Sequence, residues 1–72
     1  MLAPSYTFEF DGEVVLVFRL TYKLHLVWPA SNNARNRRTV LVRGHRVVPQ
    51  QWMRPGFEDA LNTLIAVDGG DS

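Results

Sequence analysis

The chain is predicted to be a small α+β domain: a small antiparallel or mixed β-sheet of hairpins with one C-terminal amphipathic helix packed on it. Three observations predict this class. Residues 14–28 alternate with a two-residue period, the even positions staying apolar from Val14 through Leu20 to Trp28, which is the period of a strand with one buried face. Asp11-Gly12 precedes that run and is a strong hairpin signal, because a type I′ turn needs positive φ at both central residues. Near the C-terminus Phe57, Ala60, Leu61, Leu64 and Ile65 recur at the spacing of one helix face.

At 72 residues the chain makes one domain, residues 1–72. A chain this short buries only about 60% of its unfolded surface, so stability is marginal and the aromatic residues carry much of the core. The absence of cysteine excludes disulfide scaffolds, zinc–thiolate sites and thiol nucleophiles, and it fits a cytoplasmic location. The most apolar run is interrupted by Arg19, Lys23 and His25, whereas a membrane span needs about 20 largely apolar residues. No signal peptide is expected, since no cationic stretch precedes an apolar core at the N-terminus.

Taken in order, residues 1–5 read as a disordered lead with Pro4 as a breaker. Tyr6 to Phe10 alternates as a strand and turns at Asp11-Gly12. A strict two-residue turn pairs Phe10 with Glu13 and Phe8 with Val15, while one extra turn residue would move Phe8 and Tyr6 to the other face; the sequence leaves both registers open. A single flat strand from Val14 to Trp28 would span about 50 Å, too long for this domain. A bend or bulge near Arg19 to Thr21, or two strands joined without a turn, is expected. Trp28-Pro29 ends the run, because proline cannot donate to a ladder. Residues 31–38 lack apolar periodicity and read as an exposed basic loop. Thr39 to Arg43 is a short strand, Gly44-His45 a turn, and Arg46 to Val48 the return. That places Arg43 opposite Arg46, an unfavourable pairing that an anion would relieve, or that splaying into water would relieve. The helix begins at Pro55, with Glu58 and Asp59 in its first turn, or at Pro49 with a kink at Pro55. Gly69-Gly70 stops it, and residues 69–72 form a tail.

The charge is segregated. All eight basic residues lie between Glu13 and Glu58, where there is no acid, and seven of the eight are arginine. Such a segment either binds a polyanion or is neutralised by acidic ends folding back on it. Arginine forms bidentate bonds to phosphate and stacks on bases. Asn32, Asn33 and Asn36 add neutral donors. Catalytic signatures are lacking: there is no phosphate-binding glycine loop or HExxH motif, Ser31 has no neighbouring histidine, and His25 and His45 read as separate surface residues. Asp68-Gly69-Gly70-Asp71 offers too few ligands for a calcium loop.

Tyr22 to Asn33, with Arg37 after it, resembles the opening of the RusA-type Holliday-junction resolvases. In that family a first strand runs into a Pro-Pro-Ser-x-Asn segment and a basic residue, then a short strand pair and a helix. Pro29, Ser31, Asn32 or Asn33, and Arg37 match. Residues 44–48 fit the strand pair and residues 52–64 the helix, so the resemblance covers roughly residues 22–66. Ala30 replaces the second proline, residues 1–20 form an additional hairpin, and Pro55-Gly56 interrupts the helix. The family's metal-binding Asp-x-Asp-Asn segment has no counterpart, since Asp68 and Asp71 have another spacing. The resemblance therefore implies descent from a dimeric, magnesium-dependent endonuclease, in truncated or repurposed form, and assigns no catalytic or metal-binding residue.

The leading expectation is a DNA-binding domain, branched DNA included, that acts without cleavage or cofactor and is open to homodimerisation. Asn32, Asn33, Arg35, Arg37, Arg38, Arg43 and Arg46 would form its nucleic-acid surface. One rival is a phage-type protein-interaction module, an inhibitor or assembly factor, using a strand edge and aromatics such as Phe8 and Trp52. The other is a magnesium nuclease that completes its site with Asp68 and Asp71 in an oligomer.

Overall fold

Five strands follow one another in the same order in sequence and in space. The computed structural model describes residues 3–30 and 36–69. Strands β1 (Tyr6–Phe10), β2 (Glu13–Arg19), β3 (Lys23–Val27), β4 (Arg37–Arg43) and β5 (Arg46–Val47) precede helix α1 (Phe57–Gly69). They form one sheet in the order β1-β2-β3-β4-β5, and every neighbouring pair is antiparallel. The expected α+β class is what the chain adopts, with an antiparallel sheet and one C-terminal helix.

Asp11 and Gly12 have φ of 57° and 82°, the left-handed values that a type I′ turn needs. The turn is the strict two-residue one, and Phe8 pairs with Val15 and Tyr6 with Val17. The lead is shorter than residues 1–5. Ser5 donates its N–H to the Val17 carbonyl at 2.8 Å, and its Oγ accepts the Arg19 N–H at 3.0 Å. Met1 and Leu2 lie outside the described residues.

The long alternating run is two strands, and a true turn joins them. Val17 pairs with Leu26 and Arg19 with Leu24, while the Leu20 N–H reaches the Lys23 carbonyl at 2.9 Å. Pairing an odd residue with an even one exchanges the parity of the buried face at residues 20–22. Val15 and Val17 are buried from β2, whereas Leu24 and Leu26 are buried from β3. Val40 and Val47 complete the inner face, and Phe57, Leu61 and Ile65 of α1 lie against it.

The connection to the helix corrects the Pro49 start. Arg54-Pro55-Gly56-Phe57 is closed by a bond from the Phe57 N–H to the Arg54 carbonyl at 3.0 Å. Gly56 has φ of 89°, so this is a type II turn with Pro and Gly in their preferred positions. The Ala60 N–H then bonds the Gly56 carbonyl at 3.0 Å, opening the helix.

One polar side chain ties helix to sheet. Asn62 Oδ1 accepts the Val47 N–H at 2.8 Å, while its Nδ2 is buried without a hydrogen-bond partner. Asn62→Ala would strand the Val47 donor but also remove an unsatisfied amide. The expected loss is therefore about 1 kcal/mol, the low end of the range for an orphaned buried donor. It should appear in urea denaturation as a lower midpoint at unchanged slope.

Candidate nucleic-acid interface

The face of the sheet turned away from α1 can be mapped from the strand registers. One row across the strands is Thr7, Leu16, Val27 and Arg37. The next is Phe18, His25 and Thr39, and beyond it Lys23 lies beside Leu41. The end of β4 adds Arg43 opposite Arg46. Glu9, beside Val14 on β1, brings the acid of this face, two strands away from β3. No Asp or Glu occurs in β3, β4 or β5.

Arg37, Arg43 and Arg46 are exposed and pair with no carboxylate among the described residues. Arg46 shares a surface depression with Asp59 of α1 without an ion pair between them. Alternate residues on a strand advance by about 6.7 Å, so Arg37 and Arg43 stand about 20 Å apart along β4. A shallow depression of about 580 Å³ lies between β3 and β4, lined by His25, Val27, Arg37, Arg38, Thr39 and Gln50 among others. His25 Nδ1 and Thr39 Oγ1 are 3.1 Å apart. Gln50 Nε2 donates to the Thr39 carbonyl at 3.0 Å, and Gln50 Oε1 accepts Trp52 Nε1–H at 2.6 Å. With β5 only two residues long, this amide satisfies part of the β4 edge that β5 leaves unpaired.

The expected site residues fall into three groups. Arg37 and Arg43 share the outer face, with Arg46 opposite Arg43 at the sheet edge that borders α1. Arg38 lies on the opposite side: it pairs with Leu26, is half-buried, and sits with its Cζ 5.5 Å from the Trp52 ring centroid. It is a packing cation more than a free phosphate contact. Asn32, Asn33 and Arg35 lie outside the described residues. The basic loop is also shorter than residues 31–38, because the Trp28 N–H bonds the Asn36 carbonyl at 2.8 Å and Arg37 and Arg38 already belong to β4.

The idea that acidic ends neutralise the cations holds for Arg54, whose Nη1 is 2.5 Å from Asp11 Oδ2. That pair is exposed and contributes little to stability. It rims a cleft of about 160 Å³ between Phe10, Trp28, Trp52 and Phe57, below the size of a typical small-molecule pocket. Among the described residues no three of His, Asp and Glu gather as metal ligands, and no helix is long and apolar enough to cross a membrane.

No protein-family model, curated protein or solved structure matches the chain. Sequence reasoning missed the apolar residues set among the cations. Leu20 and Leu41 are 42% and 44% exposed, and Tyr22, in the turn between β2 and β3, is 60% exposed. The signal was present in the second parity of the alternating run, where Leu16 and Phe18 oppose Val15 and Val17. Phe8 and Trp52, expected as exposed aromatics, pack against the core instead.

Proposed function

We propose that this is a DNA-binding domain that engages DNA, branched DNA included, through the outer face of β3 to β5 and does not cleave it alone. The observation that supports this reading is the set of exposed arginines, Arg37, Arg43 and, at the edge, Arg46, on strands that carry no acid. Such cations displace counterions from phosphates, so affinity should fall linearly with salt on logarithmic axes. Fluorescence anisotropy between about 50 and 200 mM salt tests it with single-stranded, duplex and four-way-junction DNA. Replacing Arg37, Arg43 and Arg46 by alanine together should weaken binding and reduce the salt slope by about three. Absence of salt-sensitive binding to all of these DNAs ends the reading.

Shared ancestry with the RusA-type resolvases is also a proposal and is supported by residues 22–66 alone. It expects tighter binding to a four-way junction than to a duplex of the same arm sequence, and a homodimer in sedimentation. Junction cleavage with magnesium would replace the non-cleaving reading by the nuclease one. A protein-interaction module is favoured by one observation, the exposure of Val14, Leu20 and Leu41. On that reading the triple arginine variant retains full activity.

A further inference from the structure

We infer that the ligand of this face is single-stranded DNA, its bases stacked on Phe18 and His25 and its phosphates met by the cations of β3 to β5. This deepens the DNA-binding reading and rests on it. The face has the two ingredients of sequence-tolerant single-strand binding, which are rings that every base can stack on and cations that track the backbone. Phe18 and His25 are directly paired neighbours on β2 and β3, both on the face opposite the helix. Phe18 and His25 are both half-buried; Phe18 is absent from the aromatic cluster that packs against the core and makes no ring contact among the described residues. Tyr22, 60% exposed, lies at the end of the same two strands, with Lys23 Nζ 5.5 Å from its ring centroid. A single strand crossing from Arg37 past Phe18 and His25 to Lys23 and Arg43 would therefore alternate cation, ring and cation.

The charge distribution selects this occupant over others. A second copy docking by the same face would bring Arg37, Arg43 and Lys23 of both chains together, and like charges in an interface oppose it. A duplex keeps its bases stacked inside and offers Phe18 and Leu41 nothing apolar, whereas an unstacked strand buries both. DNA is favoured over RNA by the apolar side chains among the cations: Leu16, Val27 and Leu41 suit deoxyribose and thymine methyl groups and have no donor or acceptor for a 2′-OH.

The test uses the full chain and labelled oligo(dT), with oligo(rU), a mixed-sequence duplex and a four-way junction in parallel, read by anisotropy at low salt. Oligo(dT) should bind about tenfold more tightly than the duplex or oligo(rU). Phe18→Leu, which keeps the apolar area but removes the ring, should weaken oligo(dT) binding about tenfold and leave duplex binding unchanged. Phe18→Trp should restore it, and circular dichroism of each variant reports folding. Duplex or junction bound as tightly as oligo(dT), or no effect of Phe18→Leu on oligo(dT), overturns the single-strand assignment while the DNA-binding reading stands on whichever DNA is bound; oligo(rU) bound as tightly as oligo(dT) overturns the choice of DNA as the strand. Failure to bind any of the four probes overturns both.

Discussion

Phe57→Ala is expected to remove a large share of the domain's stability, at the low end of its range enough to unfold it at room temperature. Phe57 is 3% exposed, and its ring centroid lies 5.1 Å from that of Phe10, 5.6 Å from Trp52, 5.9 Å from Trp28 and 6.0 Å from Phe8. Among the described residues it is the one ring in contact with rings of β1, the exit of β3 and the β5–α1 connection. Truncating a buried phenylalanine costs about 3–5 kcal/mol, because the lost transfer energy is joined by that of the cavity. A domain of this length has about 4–11 kcal/mol of stability in all. The expected fall in Tm is at least about 12 °C, accompanied by loss of the near-ultraviolet aromatic circular dichroism. Phe57→Leu, which keeps most of the volume, should cost about 1.5 kcal/mol or less. A Tm within a few degrees of the parent for the alanine variant would mean that the four surrounding rings hold together without Phe57.

The elements with a local chemical signature were legible in the sequence, and the global facing of the sheet was not. Asp11-Gly12 announces its turn because few residue pairs tolerate two positive φ values. The α1 face from Phe57 to Ile65 is legible because its spacing is set within the helix. The turn at residues 20–22 has no such mark. Leu20-Thr21-Tyr22 contains no Gly, Pro, Asn or Asp, and apolar residues continue on both sides of it. The exchange from odd to even buried positions arises only from the long-range pairing of Val17 with Leu26. The outer face inherits this difficulty. That Arg37 and Arg43 share a side with Phe18, while Arg38 turns toward Trp52, is a consequence of the β3–β4 register and cannot be read from charge order along the chain. The connection before the helix shows the opposite case. Pro55-Gly56 was visible as a possible kink, and what decides for a type II turn is the hydrogen bond from Phe57 to Arg54.

Arg43→Glu should make the domain more stable and a poorer DNA binder at once. Arg43 and Arg46 face each other across the two-residue turn Gly44-His45, and both are exposed. Like charges directly opposite on a sheet are destabilising, and opposite charges contribute about 0.2–1 kcal/mol. Turning one arginine into glutamate replaces a repulsion by an attraction without touching the core. For a domain of this size the Tm should rise by about 1–5 °C at low salt, and the gain should shrink as salt screens the pair. DNA affinity should fall by about tenfold or more, because one phosphate contact is lost and a carboxylate takes its place beside the remaining cations. The opposed signs carry the information. A residue whose charge served the fold would lose stability on reversal, and binding would fall only because the protein unfolds. If thermal melts show the rise but anisotropy shows unchanged affinity, the β4–β5 hairpin lies outside the interface, and the phosphates must be met by Arg37 and Lys23 at the other positions of the face. If the melts show a fall instead, Arg43 is held by a partner within the domain. A rise in stability together with a loss of binding would mean that the sheet tolerates an arginine pair at an electrostatic cost to the free protein, a cost that the DNA backbone relieves.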